Sequence, residues 1–168
     1  MNADDERRYV EYVSGRLVWL RKLAFLLCQD WHRADDLSQA AITRLYVHWR
    51  HAGRADNLDG YARRVLVREF LGTARTAWAS RVDLQADTVG DRAVHDADPT
   101  TRVVVQAALR EVPPRQRAAL VLRYYCDLSV EETAELLRCS TGTVKSQTAR
   151  GLDALRRALG AHHTMVEG

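Results

Sequence analysis

Cysteine and proline are both scarce in this 168-residue chain, with three of each. No apolar run approaches the roughly 18 residues that a membrane-spanning helix needs. Cys28, Cys126 and Cys139 are too few and too widely spaced for a disulfide framework, and none forms a CxxC pair. Cys28 with His32, or Cys139 with His162 and His163, falls short of the four ligands of a structural zinc at a recognised spacing. Neither a metal nor a cofactor is implied. The opening MNADDERRYV has no apolar signal core, which points to a cytoplasmic protein with no membrane partner. No HExxH, nucleophile elbow or phosphate loop is present to gather His32, His48, His51 or the carboxylates, so the chain is not expected to be an enzyme. No β alternation, repeat or low-complexity tract is seen either, and the expected fold is all-α.

What is present is charge, unevenly placed. Residues 1–80 carry a net +3, residues 81–101 a net −3 and residues 102–168 a net +3. The middle stretch, RVDLQADTVGDRAVHDADPTT, contains Asp83, Asp87, Asp91, Asp96 and Asp98 and lacks a helical stripe. It ends at Asp98-Pro99, which disfavours helix just before it. It reads as a flexible acidic linker between two small helical domains. The expected division is 1–80, linker 81–101, 102–160 and a tail 161–168.

The most informative segment is LSVEETAELLRCSTGTVKSQTARGLDAL, Leu128 to Leu155. It reads as a short capped helix, a polar turn and a longer basic helix, the layout of a helix-turn-helix. Ser129 and Glu132 form a capping box, with the hydroxyl accepting from the Glu132 amide and the carboxylate reaching back to the Ser129 amide. Val130, Ala134 and Leu137 recur at helical spacing, and the small Ala134 lets a second helix cross closely. Arg138, Cys139 and Ser140 make the turn, with Ser140 as N-cap of the second helix. That helix is expected to bury Val144, Ala149, Leu152 and Leu155 and to turn Lys145, Ser146, Gln147 and Arg150 outward, as a recognition helix facing base edges and phosphates does.

Upstream, helical stripes run through Tyr9, Val13, Leu17, Leu20, Ala24 and Leu27; through Leu37, Ala41, Leu45 and Trp49; and, less regularly, through Tyr61, Val65, Phe70 and Ala74. HAGRAD, His51 to Asp56, breaks the pattern between the last two. Asp35, Asp36 and Gln39 cluster early in the second helix, where acids complement the helix dipole or mark a docking surface. In the third, Arg63, Arg64, Arg68 and Arg75 interleave with Tyr61, Phe70 and Trp78. That mixture suits single-stranded nucleic acid, although a helix with buried aromatics has the same composition. After the linker, short helices are expected over Arg102 to Arg110 and Arg115 to Tyr125. Pro113-Pro114 separates them, and Pro114 stands in a first helical turn.

Taken together, these segments resemble the extracytoplasmic-function (group IV) sigma factors of bacterial RNA polymerase, within the sigma-70 family. DWHRADDLSQAAITRLYVHW resembles region 2.2, NLDGYARRVLVREF regions 2.3 and 2.4, and the Leu128 to Leu155 segment region 4.2, with GTVKS in register. The resemblance implies that Asp35, Asp36 and Gln39 dock on the β′ clamp helices of core RNA polymerase. It implies that the loop His51 to Leu58 and the following helix, through Asn57, Tyr61, Arg63, Arg64 and Arg68, hold the melted minus-10 strand of promoter DNA. Arg123, Thr143, Lys145, Ser146, Gln147 and Arg150 are then placed at the minus-35 duplex. The β flap and an anti-sigma factor are further implied partners, and the linker is implied to thread the polymerase as a nucleic-acid mimic. Many members carry Asn in place of Arg68 and Arg in place of Gln147. Gln pairs with adenine where Arg pairs with guanine, a difference of about 1 to 3 kcal/mol for a bidentate contact. From the residues alone, a helix-turn-helix repressor or activator with an N-terminal dimerisation or ligand bundle stays open.

Overall fold

The computed structural model describes residues 1–80 and 99–167, and their side chains over 1–73 and 99–162. The described residues are helical throughout their regular structure and fall into two compact units. The acidic stretch 81–98 lies outside the described residues. Pro99 to Thr101, assigned to the linker from sequence, instead open a helix. Pro99 suits that place because its fixed φ is helical and its missing N–H would have no partner in a first turn.

The first unit is built from α1 (Ala3–Cys28) as far as Phe25, α2 (Trp31–Val47), α3 (Trp49–Ala52) and α4 (Leu58–Ser80). Asp30 caps α2, its carboxylate accepting from the amides of His32 at 2.9 Å and Arg33 at 3.4 Å. Leu20, Leu23, Ala24, Leu37, Ala41, Leu45, Trp49, Leu66, Val67 and Phe70 are buried. The ring of Trp49 meets Tyr9 edge-on at 5.3 Å, and the Tyr9 hydroxyl donates to the Ile42 carbonyl at 2.9 Å, joining α1 to α2 and α3. Leu17, expected in the stripe of α1, is 42% exposed. Each step of four residues advances about 40° around a helix, so two such steps from Tyr9 carry Leu17 about 80° onward, out of the core and onto the rim. The chain breaks at His48, ahead of the HAGRAD segment, and α3 covers the first part of that segment.

The second unit comprises α5 (Pro99–Glu111), α6 (Pro114–Leu120) running into a π-helical turn (Val121–Tyr125), α7 (Val130–Leu137) and α8 (Thr141–Glu167). Pro114 does open α6. Leu109, Val112, Leu120, Leu122, Leu137 and Val144 are buried. So is Arg117, whose guanidinium donates to the carbonyls of Leu109 at 2.9 Å, Val112 at 2.9 Å and Arg110 at 3.2 Å. Carbonyls at a helix C-terminus lack intrahelical donors and carry partial negative charge, and this buried cation supplies both needs. Residues 161–167, expected as a tail, continue α8.

Candidate nucleic-acid interface

The helix-turn-helix forms as its caps dictate. Ser129 accepts from the Glu132 amide at 3.0 Å, while among the described residues the Glu132 carboxylate does not return the bond, so half of the capping box is made. At the other end of α7, Arg138 adopts a left-handed conformation with φ 53°. The Cys139 amide reaches the Ala134 carbonyl at 3.1 Å and the Arg138 amide the Glu135 carbonyl at 3.3 Å. These are the two bonds of a Schellman motif, in a place usually taken by glycine. Ser140 then caps α8, accepting from the Thr143 amide at 3.1 Å, and its hydroxyl lies 2.9 Å from that of Thr143.

The orientation of α8 departs from expectation. Val144 is buried, but Leu152 and Leu155 are half-buried and Ala149 is exposed, while Gly151 is buried and Gln147 is half-buried. Ala149 stands five residues after Val144, about 140° around the helix, whereas Gly151 stands seven after it and returns to within about 20°. Gly151 abuts α6, where a Cβ would lie 3.0 Å from Leu120 Cγ and 3.2 Å from the Gln116 carbonyl. Gln147, three residues from Val144, is about 60° from the buried line and sits on the flank of the helix. Between Gly142 and Arg150 the outward face therefore consists of Gly142, Lys145, Ser146, Ala149 and Arg150, with Thr143 beside it half-buried, and it continues into Asp153, Arg156 and Arg157. The Ser146 hydroxyl donates to the Thr143 carbonyl at 3.0 Å, which leaves its oxygen as an acceptor. Arg123 is half-buried in the π-helical turn. Its guanidinium donates to the Leu128 carbonyl just before α7, while the Cys126 and Leu128 amides return to the carbonyls of Val121 and Leu122 at 3.0 Å each.

In the first unit the candidate strand-binding residues divide. Tyr61, Arg64 and Arg68 share one face of α4 by helical spacing, with Arg68 exposed and the other two half-buried. Arg63 lies on another side, its guanidinium 5.8 Å from the Trp19 ring centre on α1. Phe70 is 1% exposed and belongs to the core, so it presents no surface for a base. Arg75 and Trp78 lie beyond the described side chains. Asn57 caps α4, its side-chain carbonyl accepting from the Gly60 amide at 2.8 Å. A Cβ at Gly60 would stand 2.7 Å from Asn57 Nδ2, a contact that a small turn of the amide relieves. Arg54, Ala55, Asp56 and Asn57 of the preceding loop are exposed.

Two residues on, Asp59 accepts from the Tyr12 hydroxyl at 2.8 Å and from Arg16 Nε at 2.9 Å, pinning the start of α4 to α1. Burial alone would raise the Asp59 carboxyl. The hydrogen bonds from Arg16 and Tyr12, with the charges of Arg16 and Arg63, outweigh it and hold the group below the ordinary carboxylate range. The same burial and the bond to Asp59 push the Tyr12 hydroxyl well up.

On α2, Asp35, Asp36 and Gln39 are all exposed. Asp35 pairs with Arg21 Nε at 2.6 Å, and the Arg21 guanidinium sits 4.3 Å from the Trp31 ring centre. Trp31 in turn stacks on Phe25 at 4.0 Å. The sequence reading missed this layered support. Trp31 next to the capping Asp30, ten residues after Arg21, was its only trace. Among the described residues, no group of three or more His, Cys, Asp or Glu side chains could hold a metal, and no helix is long and apolar enough to cross a membrane.

Comparison with known proteins covers both units. Residues 13–80 match the family model for sigma-70 region 2, and residues 102–155 that for sigma-70 region 4. The chain is 34% identical over 156 residues to the RNA polymerase sigma-E factor of Streptomyces avermitilis, covering 90% of this chain and 84% of that one. It is 36% identical over 152 residues to the ECF RNA polymerase sigma factor SigM of Mycobacterium tuberculosis, covering 88% and 74%. In fold it is similar to the sigma factor RpoE of Bartonella quintana, crystallised with the anti-sigma factor NepR. The TM-score is 0.70 at 23% identity, over 92% of this chain and 98% of that one. With residues 13–80 matched to region 2, a repressor built on an unrelated N-terminal bundle is not favoured. The chain belongs to the extracytoplasmic-function RNA polymerase sigma factors of the sigma-70 family and is a transcription initiation factor.

Proposed function

We propose that this sigma factor grips a promoter at two places, reading the minus-35 duplex with the exposed face of α8 and holding the melted minus-10 strand with the loop before α4 and the face of Tyr61, Arg64 and Arg68. The observation that carries the reading is the outward face of α8, where Lys145, Ser146 and Arg150 stand exposed while Ser140, Val144 and Gly151 hold the helix in place. A helix supported from behind, with donors forward, fits the major groove. Arg123 braces the loop before α7 with one N–H and keeps others for a phosphate, and Thr143 lies beside the backbone path. Gln147, half-buried, contributes from the flank. Arg63 acts through Trp19 to position α4.

Asp35, Asp36 and Gln39 form the surface for the β′ clamp helices of core polymerase, with the β flap meeting the second unit. Opening the start site costs about 1.4 kcal/mol per base-pair step. A captured, stacked base returns about 1 to 3 kcal/mol, so a few captured bases together with polymerase contacts suffice. The chain performs no covalent chemistry of its own, acts in the cytoplasm at the nucleoid, and is held in reserve by an anti-sigma factor. Residues 81–98 serve as an acidic strap through the polymerase.

The test is capture of core RNA polymerase by the purified chain, followed by transcription on genomic DNA with start-site mapping. Wild type is expected to bind core enzyme and direct a restricted set of starts. Charge reversal at Asp35 and Asp36 together is expected to abolish capture while the helical content stays. A polymerase-independent dimer on a palindromic site, with no capture of core enzyme, would overturn the proposal.

A further inference from the structure

We propose that Ala149 is a specificity-determining residue of the recognition helix, its methyl group reading the 5-methyl of one thymine in the minus-35 element. The inference rests on the proposed docking of α8 in the major groove. Its observation is the turn of the helix: Ala149 stands exposed between Lys145, Ser146 and Arg150, while Gln147 is drawn half under the flank. Ala149 is four residues after Lys145 and three after Ser146, so these side chains are surface neighbours. Its neighbours offer a donor or an acceptor, and Ala149 offers neither. The one base-edge feature of the major groove that an aliphatic group matches is the thymine methyl. A side chain this short also lets the helix backbone approach the bases, which brings Ser146 and Arg150 within reach on either side.

An exposed alanine is also the best helix former, and on a merely solvated face it would need no further role. The two cases differ in one measurable respect. Replacing thymine by deoxyuridine removes the methyl and keeps every hydrogen-bonding group. If Ala149 covers that methyl, losing the contact costs about the transfer free energy of one methyl group, or roughly fourfold in occupancy.

The experiment uses the full chain assembled with core polymerase on a promoter found by start-site mapping. Each thymine of the minus-35 element is replaced in turn by deoxyuridine. One replacement is expected to lower occupancy about fourfold with wild type and to have no effect with Ala149→Gly. Ala149→Ser serves as a second variant that keeps a Cβ in the helix, and it should shift base preference at that position alone. Equal deoxyuridine effects in wild type and both variants would overturn the assignment. So would indifference to every deoxyuridine when ordinary base-pair changes in the minus-35 element still reduce occupancy, an outcome that leaves the docking of α8 intact. Indifference to the base-pair changes as well would remove the docking and this assignment together.

Discussion

In the second unit three of the side chains proposed to read the duplex have little part in holding the fold. Lys145, Ser146 and Arg150 face outward, and the helix that carries them is kept in place by the Ser140 cap, by Val144 and by the close seat of Gly151 on Leu120. In the first unit the residues proposed to hold the melted strand, and their neighbours, also build the fold. Asn57 closes the first turn of α4, Arg63 lies over Trp19, Tyr61 is half-buried, and the neighbouring Asp59 ties α4 to Tyr12 and Arg16. A duplex presents fixed groove edges, and a rigid helix with uncommitted side chains matches them best. A single strand adapts its backbone to the surface it meets, so the residues that hold it can also be residues that build the surface. Function and stability should therefore separate in the second unit and travel together in the first.

The largest expected effect tests the separation directly. Arg150→Ala should lose about 1 to 3 kcal/mol of discrimination between matched and mutated minus-35 elements, read by competition binding of the holoenzyme. Its Tm should stay near wild type, because an exposed residue outside the core usually changes stability by no more than about 0.5 kcal/mol. Equal discrimination in wild type and variant would break the comparison. The counterpart in the first unit is Asn57→Ala. Loss of the α4 cap should cost about 1 kcal/mol in urea unfolding, together with weaker strand opening on a pre-mapped promoter. Weaker opening at unchanged stability would mean that Asn57 is as uncommitted as Arg150.

Smaller effects sharpen the contrast. Arg138→Gly should stabilise the chain by about 1 kcal/mol, since glycine meets no Cβ penalty in a left-handed conformation, and should leave minus-35 binding unchanged. In the first unit, the lowered pKa of Asp59 means that its ionised form is favoured by folding. That stability is complete above the unfolded-state value of about 3.9 and is lost as pH falls through the lower folded value. Asp59→Asn should thus have a lower urea midpoint than wild type at neutral pH, and the gap should close as the pH falls below about 4. A gap that persists unchanged into acid would remove the carboxylate as its cause.

Much of this architecture is legible in the sequence. The starts of α7 and α8 rest on contacts between residues three apart, Ser129 with Glu132 and Ser140 with Thr143, the break before α6 on Pro113 and Pro114, and the two-part layout on the charge of the stretch between. Such contacts are written into neighbouring letters, and the family motifs follow the same local logic. What the letters did not settle is which side of each helix faces inward. Ala149 and Leu17 have apolar side chains yet stand exposed, and Gln147 is polar yet half-buried. Helical spacing sets Arg63 apart from Tyr61, Arg64 and Arg68, but only the packing puts Trp19, 44 positions away on α1, against its side of α4. A helix has no inside until other helices pack on it, and a few tens of degrees of rotation move a residue from core to surface. Capping and helix order are therefore local properties of this chain, while which side chains face outward is decided by the packing of distant segments.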